Sequence, residues 1–365
     1  MTPLVSILVP SYNHGKFIAQ TLSSLLNQTF RDFEIIIVDD GSTDDSVERI
    51  LEFRDPRIHL RQLTSNVGAC KAMNLGIKQC RGEYIAVCNS DDIWLTNKLE
   101  IQLSDIQRAP NLAAVFSDVE WINDVGEHQA TPWNSIFAQP NRSRFKWLYD
   151  LITTGNCLCH PSVLIRKKVY DNVGLYNNFY RQLPDYDMWL RVLQRYNIFV
   201  SKEKLVRFRL HDNNTSKPSE EAAMRDQNEM RLILSNFFRS ISSENFHGAF
   251  GYNNNRVQPE PLKSEIASFL LTANGFRKDF MNQLGQQMIM ELDADQRERV
   301  GITALDFQKC TGSRGDFAHH GLQTPLTEDT TLPLITPHEV LARTHTKELL
   351  RIVKQRLSRK FGMRK

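Results

Sequence analysis

The sequence predicts an α/β protein built on a mostly parallel sheet that is flanked by helices. Short β-branched runs begin at residues 5, 33, 58 and 84, and this spacing of 25–28 residues is close to the ~30 residues of a β-α-β unit. The segments between the runs carry apolar residues at helical spacing, as at Ile18, Leu22 and Leu25. Strands that alternate with helices in this way are typical of a parallel sheet covered by helices.

The carboxyl ends of the first four predicted strands are expected to form the functional edge of the sheet. The second run, Ile35 to Val38, is continuously apolar, as expected of a strand buried on both faces. In open sheets of this kind, ligands bind beyond the carboxyl ends of the strands. The predicted strands are Val5–Val9, Phe33–Val38, Ile58–Leu63 and Tyr84–Cys88, and the loops of interest are Pro10–Asn13, Asp39–Ser42 and Asn89–Asp92.

From about residue 110 the pattern consists of shorter elements. A polar segment at Asn213–Ser219, which contains Pro218, predicts a boundary after them. Further strands are predicted at Val115–Trp121 and Val163–Ile165, and helices from Asp185, at about Glu220–Ile241 and at about Ser264–Leu292.

Composition excludes several classes of protein. No apolar run approaches the ~20 residues that cross a bilayer, and no secretion signal is recognisable, so we expect a cytoplasmic protein. The six cysteines lack the density of a disulfide-stapled secreted domain. Cys157 and Cys159 precede His160, but no second Cys/His pair stands at zinc-finger spacing, so we interpret these cysteines as small buried residues.

The charge is concentrated at the C-terminal end. A net charge of +3 is too small to indicate nucleic-acid binding. Residues 347–365 hold eight Lys/Arg and one Glu, a net +7, which leaves residues 1–346 at −4. The tail interleaves these basic residues with apolar ones, which is typical of a helix lying on an anionic membrane and equally of a solvated terminal helix.

Paired carboxylates follow two of the predicted strands. Asp39 and Asp40 end the second run, and Asp91 and Asp92 follow the fourth. Because a buried, unpaired carboxylate is costly, a positive partner is expected there. Two such loops at one edge suit a hard divalent cation and a phosphate-bearing ligand. No G-x-G-x-x-G follows the first strand and no P-loop motif occurs, which disfavours dinucleotide dehydrogenases and P-loop NTPases.

Seven segments in order and at matching spacing resemble family 2 glycosyltransferases of the GT-A fold. They are "VSILVPSYN", "VDDGSTDDS", "NVGACKAMNLGI", "RGEYIAVCNSDDIW", "GNCLCHPSVLIRKKVY", "PDYDMWLR" and "RLHDNNTS", covering residues 3 to about 217. The resemblance implies an inverting transfer of a sugar from a nucleotide-diphosphate donor, with a UDP-sugar favoured, to a saccharide or lipid-linked acceptor. It also implies Mn²⁺ or Mg²⁺ as cofactor and a place in surface polysaccharide or glycolipid assembly, at the inner face of the membrane.

The resemblance also implies roles for individual residues. Asp91 matches the metal-binding acid, His211 matches a position near the donor and is a second predicted metal ligand, and Asp185 matches the catalytic base. Asp40 matches the acid that contacts the nucleotide base. The predicted substrate-binding residues are Pro10, Ser11, Tyr12, Asp40, Lys71, Asn89, Ser90, Asp92 and His160.

Some positions leave alternatives open. Asp185 is predicted at a helix N-terminus, where the macrodipole favours the ionised form of a base, and Asp187 could exchange roles with it. Asn89 stands where many relatives have an acid, and Pro184 stands where a Glu often precedes the base. These two departures support an alternative, a catalytically inactive nucleotide-sugar-binding subunit. A nucleotidyltransferase is disfavoured, because "PSYNHGK" is not a Gly- and Arg/Lys-rich phosphate loop.

The chain is predicted to divide into four segments. They are a GT-A domain at 1–217, a helical extension at 218–310, a weakly patterned linker at 311–346 and a basic amphipathic helix at 347–365.

Overall fold

The computed structural model describes residues 2–212, 214, 219–251, 262–273, 277–300 and 307. In these residues the strands are β1 (Val5–Ser11), β2 (Phe33–Asp39), β3 (Ile58–Gln62), β4 (Tyr84–Val87), β5 (Ile93–Trp94), β6 (Leu112–Ile122), β7 (Leu164–Arg166) and β8 (Asn197–Arg209). The helices are α1 (Gly15–Leu26), α2 (Ser46–Leu51), α3 (Ala69–Gln79), α4 (Lys98–Gln107), α5 (Arg144–Thr154), α6 (Lys167–Val173), α7 (Pro184–Leu193), α8 (Glu220–Ser240), α9 (Ser243–Phe250), α10 (Leu262–Leu271), α11 (Lys278–Met290) and α12 (Ala294–Val300).

All of these strands belong to one sheet of order β3-β2-β1-β4-β7-β6-β8-β5. The β3-β2-β1-β4 half is parallel, as the spacing of the apolar runs predicts. β7 runs antiparallel to both β4 and β6, while β6 and β8 are parallel. The predicted α/β class with a mostly parallel sheet is confirmed.

The strand register aligns the loops that follow the first strands. Every residue of β2 is buried, since helices cover both faces of this half of the sheet. Ser11 at the end of β1 pairs with Asp39 at the end of β2. Beside them, the N–H of Cys88 donates to the carbonyl of Leu8 at 2.9 Å, so the chain after β4 leaves the sheet next to β1. The loops that carry the acidic pairs therefore start at one edge.

The turn after β2 depends on a glycine. Gly41 has a φ of +73°, and a Cβ there would lie 2.7 Å from the main-chain carbon of Ser65. A larger residue would strain the backbone and push away the segment that follows β3. Gly41 thus lets the Asp39–Asp40 turn pack against that segment.

The helical prediction beyond residue 218 is confirmed at α8 and corrected after it. The stretch predicted at about Ser264–Leu292 is two helices, α10 and α11, with a break between Leu271 and Lys278. The intervening sequence includes Asn274 and Gly275, residue types with poor helix propensity, and apolar spacing alone did not reveal the break. α9 was not predicted.

The described residues fall into two compact units. The first holds the whole sheet and comprises residues 2–148 and those described within 156–233. The second comprises Tyr149–Gly155 and the described residues from Leu234 onward. In the second unit α10 packs against α11 at Gly285, where a Cβ would lie only 2.8 Å from the main-chain nitrogen of Leu271. The predicted boundaries at 217 and 310 stay predictions.

Two predicted segments cannot be compared with the structure. The linker at 311–346 and the basic helix at 347–365 lie outside the described residues. None of the described helices combines the length and the apolar character that crossing a membrane requires.

Candidate active site

The loops after β1 and β2 are fastened to each other at the carboxyl edge of the sheet. The N–H of Asp40 donates to the carbonyl of Ser11 at 2.8 Å. The N–H of Asn13 donates to the Ser42 hydroxyl, and the N–H of His14 donates to the Ser46 hydroxyl, both at 2.9 Å. Asp39 accepts from the N–H and the hydroxyl of Ser42, which closes the turn. The arrangement gives the first two loops a fixed geometry.

Asp40, predicted to contact a nucleotide base, is buried behind this turn. Its carboxylate accepts main-chain N–H groups from Val67 at 2.7 Å and Gly68 at 3.0 Å. Burial raises its pKa, against the effect of these hydrogen bonds and of the Lys71 ammonium on α3. Asp40 therefore connects the loop after β2 to the start of α3, and its contact with a base stays a prediction.

A His–Asp–His cluster forms where three loops meet. One ligand atom each of His14, Asp91 and His211 lies within 4.8 Å of the others. His211 Nε2 lies 2.9 Å from the Asp91 carboxylate, which also accepts from Asn214 Nδ2 at 3.2 Å. His14 follows β1, Asp91 follows β4 and His211 follows β8, so residues far apart in sequence converge. The structure brings the predicted ligands Asp91 and His211 together and adds His14.

The chemistry of the cluster fits a divalent cation. Asp91 supplies a carboxylate oxygen, and the two imidazoles supply nitrogen. Burial lowers the pKa of His14, which favours the neutral imidazole that a metal requires. Nδ1 of His14 lies 2.7 Å from the Ser90 hydroxyl, which fixes the orientation of the ring. An O/N donor set of this kind suits Mn²⁺ better than Mg²⁺, which prefers oxygen.

Asp92 follows Asp91 directly but is not part of the His–Asp–His cluster, and its side chain is fully buried. The residue has no exposed surface, and Oδ1 accepts the main-chain N–H of Arg209 at 2.9 Å. Burial raises its pKa well above the usual range, and the neighbouring Asp91 adds to this effect. Ser90 is also buried, and its hydroxyl pairs with His14. The burial gives Asp92 a contact with the end of β8, and its predicted substrate contact stays a prediction.

Arg209 holds several loops of the site in place. It is completely buried, and its Nε donates to the carbonyl of Asp91 at 2.7 Å. Its two terminal nitrogens donate to the carbonyls of Asn123 and Asp124, both at 3.1 Å, and to Oε1 of Gln20 at 2.8 Å. Arg209 thereby connects the main chain of the loop that carries Asp91 to α1 and to the end of β6.

Asp185, the predicted base, lies in the first turn of α7 after Pro184. Its carboxylate accepts from the N–H of Tyr186 at 2.9 Å and from Nδ2 of Asn156 at 2.7 Å. Burial raises the pKa of Asp185 to about 6 in spite of these bonds. The position at the start of α7 favours the ionised form, as the sequence indicated, but desolvation is the larger effect on the pKa of this carboxyl.

The other predicted residues near α7 are engaged in the protein interior. Asp187 pairs with Arg191 at 2.8 Å, which argues against an exchange of roles with Asp185. His160 Nε2 lies 2.9 Å from the Tyr176 hydroxyl, and burial lowers its pKa to about 4. Trp94 and Trp189 are core residues.

The remaining predicted substrate contacts differ in their exposure to solvent. Tyr12 is 43% exposed, whereas Pro10 and Asn89 are half-buried and Lys71 is exposed. The hydroxyl of Ser11 is buried and has no hydrogen-bond partner among the described residues. Their contacts with a substrate stay predictions.

Comparisons with known proteins identify the family. The sequence model described as "Glycosyl transferase family 2" matches residues 6–174. The UDP-Glc:alpha-D-GlcNAc-diphosphoundecaprenol beta-1,3-glucosyltransferase of Escherichia coli is 35% identical over 201 residues, which are 53% of this chain and 72% of that protein. The chain belongs to glycosyl transferase family 2.

Other relatives agree with this membership. An uncharacterized glycosyltransferase of Rickettsia typhi is 29% identical over 253 residues, 67% of this chain and 74% of the relative. Residues 1–349 of TarS from S. aureus, solved with UDP-GlcNAc, match the fold with a TM-score of 0.56 at 18% identity, covering 86% of this chain and 88% of that one. The protein is thus a glycosyltransferase with the GT-A architecture that the motifs predicted.

The family 2 match covers only part of the candidate site. Asp40 and Asp91 lie inside residues 6–174, whereas Asp185, Arg209 and His211 lie beyond them. Sequence reasoning missed His14, Arg209 and Asn156 as site residues. His14 lies in a loop that the sheet-edge rule had already marked, so its imidazole was a signal that could have been used. Arg209 and Asn156 gave no such signal, because only the fold brings them to the site.

Proposed function

We propose that this family 2 glycosyltransferase is a metal-dependent, inverting enzyme that moves a sugar from a UDP-sugar to an acceptor hydroxyl. The observation that carries the proposal is the convergence of His14, Asp91 and His211 at the sheet edge that also presents the Asp40 loop. A nucleotide diphosphate needs both a pocket for its base and neutralisation of its phosphates. In this chain the His–Asp–His cluster and the loop that carries Asp40 lie at the same edge of the sheet.

Two hydrogen bonds connect this edge, through the start of α3, to the segment that precedes α7. Asp40 accepts from the N–H of Gly68, which directly precedes α3. Within the first turn of α3, the thiol of Cys70 donates to the carbonyl of Tyr180 at 3.2 Å. Burial raises the pKa of that thiol to about 12, and the negative charge of Asp185 adds to the rise. The start of α3 is therefore bonded both to the loop that carries Asp40 and to the segment just before α7, where the proposed base lies.

In the proposed chemistry, the metal cluster acts on the leaving diphosphate and Asp185 acts on the acceptor. Asp91, His14 and His211 would hold Mn²⁺ or Mg²⁺, which supplies Lewis-acid neutralisation of the departing diphosphate. Asp185 would take the proton of the attacking acceptor hydroxyl. A pKa of about 6 leaves this carboxylate ionised at neutral pH while keeping it an effective base. A single carboxylate base with no covalent intermediate gives inversion at the anomeric carbon.

The donor and acceptor are proposed from the relatives. The Escherichia coli relative is named for UDP-Glc as donor and a diphosphoundecaprenol-linked GlcNAc as acceptor. We infer a UDP-sugar donor and a saccharide or lipid-linked acceptor for this chain. Surface polysaccharide or glycolipid assembly at the cytoplasmic face of a membrane fits that chemistry, and the basic residues of 347–365 would attract an anionic surface.

A screen of nucleotide sugars with Mn²⁺ or with EDTA tests the proposal. We expect Mn²⁺-dependent release of UDP from at least one UDP-sugar, and NMR of the product should show the anomeric configuration opposite to that of the donor. Binding without turnover for every donor and acceptor would favour the alternative, a nucleotide-sugar-binding subunit that has lost transfer. The hydrogen-bonded, ionisable Asp185 speaks against that alternative.

A further inference from the structure

A carboxylate from α8 holds the main chain just before α7. Glu229 is buried, and its Oε1 accepts the N–H of Arg181 at 2.8 Å. Its Oε2 accepts the N–H groups of Gln182 and Leu183, each also at 2.8 Å. Three successive main-chain donors thus share one carboxylate from a helix about 46 residues further along the chain.

The last of these donors, the N–H of the N-cap residue, is the one that a Glu or Gln at the third helical position accepts in a capping box. Leu183 occupies the N-cap position of α7 and makes no side-chain capping hydrogen bond. Pro184, the next residue, has no N–H to satisfy. The third residue of α7 is Tyr186, so Glu229 on α8 accepts the N–H of Leu183 in place of such a residue, and a carboxylate suits the positive end of α7.

The held segment leads directly into the proposed base. Asp185 is two residues after Leu183, and one of its oxygens accepts the N–H of Tyr186 in the same turn. Asn156 fixes the other oxygen. The direction in which the Asp185 carboxylate points thus depends on where the main chain of residues 181–183 is fixed.

We propose that Glu229 is a positioning residue for glycosyl transfer, acting through the main chain of residues 181–183 on Asp185. The inference rests on the proposed function, because it takes Asp185 as the base. It assigns to α8 a part in the reaction, although α8 lies outside the residues that the family model matches. A displacement of the base by ~1 Å costs about 100-fold in rate, so the fixing of this segment matters for turnover.

The test compares Glu229→Gln with Glu220→Gln, an exposed residue at the start of the same helix. The amide keeps the size of the side chain but removes its charge and turns one acceptor into a donor. We expect kcat of Glu229→Gln to fall about 10- to 100-fold, with donor KM and the affinity for UDP with Mn²⁺ within twofold of wild type. Hydrogen exchange at the amides of 181–183 should become faster, and Glu220→Gln should match wild type in all of these measurements.

A second comparison separates positioning from general loss of structure. In the Asp185→Asn background, Glu229→Gln should have no further effect on the residual rate of UDP release, because the residue it acts through is already gone. Glu229→Asp, which keeps the charge on a shorter side chain, should restore part of the lost kcat and part of the amide protection.

Several outcomes would overturn the inference. A kcat of Glu229→Gln within twofold of wild type would do so. A double variant in which the rate losses of Glu229→Gln and Asp185→Asn multiply would also do so. Exchange at 181–183 that is unchanged in the variant would show that Glu229 does not hold this segment. If the wild-type protein releases no UDP from any donor, the proposed function itself fails and the positioning role with it, whereas the exchange measurement still reports on the hydrogen bonds.

Discussion

At Asp185, burial and hydrogen bonding act in opposite directions on one carboxyl group. The bonds from Tyr186 and Asn156 favour the ionised form, but desolvation outweighs them, and Asp226 on α8 adds negative charge nearby. Helix position alone predicted an ionised base and gave no indication of the burial. The resulting pKa, about 6, has consequences for both rate and stability.

The first consequence is the pH dependence of transfer. Only the ionised carboxylate can accept the proton, so kcat/KM should rise with pH, with a midpoint near 6, and level off above it. Asn156→Ala removes a hydrogen bond to the ionised form and should move this midpoint upward. A rate measurement between pH 5 and 8 with both proteins tests this, and an unchanged midpoint in the variant would contradict it.

The second consequence concerns stability. Because the folded pKa is raised above the ordinary value, the folded state binds the proton more tightly, and stability falls as pH rises from about 4 to about 6. Asp185→Asn removes the buried charge, so it should raise Tm at pH 7.5 while it abolishes transfer. The difference in Tm should shrink towards pH 4, and a lower Tm of the variant at pH 7.5 would be the opposite result.

His14 provides a prediction about metal binding. His14→Asn should weaken Mn²⁺ binding at least about tenfold without any donor present, measured by EPR titration, because a ligand of the His–Asp–His cluster is removed. His128→Asn, at an exposed position, is the matched control. Equal affinities of the His14 variant and the wild type would remove His14 from the metal site.

At the level of single residues, the sequence predicted roles that belong to a recognisable motif. It did not predict roles that arise only from tertiary contacts. Asp91 and His211 were predicted from motifs, and the structure brings them within 2.9 Å of each other. Arg209 lies in the same motif as His211, but the sequence does not show that its guanidinium reaches three carbonyls on two other loops. Burial, which decides the behaviour of Asp92 and Asp185, depends on the complete fold.

Among the elements, β8 supports the loop that carries Asp91, because Arg209 is its last residue and donates to the Asp91 carbonyl. Arg209→Leu would leave the carbonyls of Asp91, Asn123 and Asp124 without this donor in a buried place. We expect the free energy of unfolding to fall by about 3 kcal/mol, measured by urea denaturation. Arg207→Leu on the same strand breaks only a half-exposed pair with Glu120 and should cost less than about 1 kcal/mol. Similar losses for the two variants would contradict the role of Arg209.

The predicted elements succeeded where the periodicity was strong. The four β-branched runs match β1 to β4 within two residues at either end. The buried strands β1, β2 and β4 leave a clear apolar signal, whereas β3 is partly exposed. The break between α10 and α11 was missed, because both helices are apolar enough to give one continuous pattern. The antiparallel placing of β7 between β4 and β6 also has no local signal, because pairing direction is set by distant segments.

For the whole molecule, the described residues explain the site but not the proposed membrane contact. The basic segment 347–365 is outside them, and its role is predicted from sequence alone. We expect the full chain to float with vesicles that contain anionic lipid, and a chain ending at Thr346 to remain unbound. Added salt should release the full chain, because the attraction is electrostatic. Equal flotation of both chains would contradict a membrane role for this segment.

We propose that one site of the molecule contains both a metal ion that holds the diphosphate of the donor and a carboxylate base. The measurement that tests this is UDP release from the donor found in the screen, with Mn²⁺ and with EDTA, for the wild type, Asp91→Asn and Asp185→Asn. Wild-type release should require Mn²⁺. Asp91→Asn should lose most of the Mn²⁺-dependent rate and bind Mn²⁺ weakly, whereas Asp185→Asn should bind Mn²⁺ and UDP normally and lose most of kcat. Release that needs no metal and survives both substitutions would contradict the proposed mechanism.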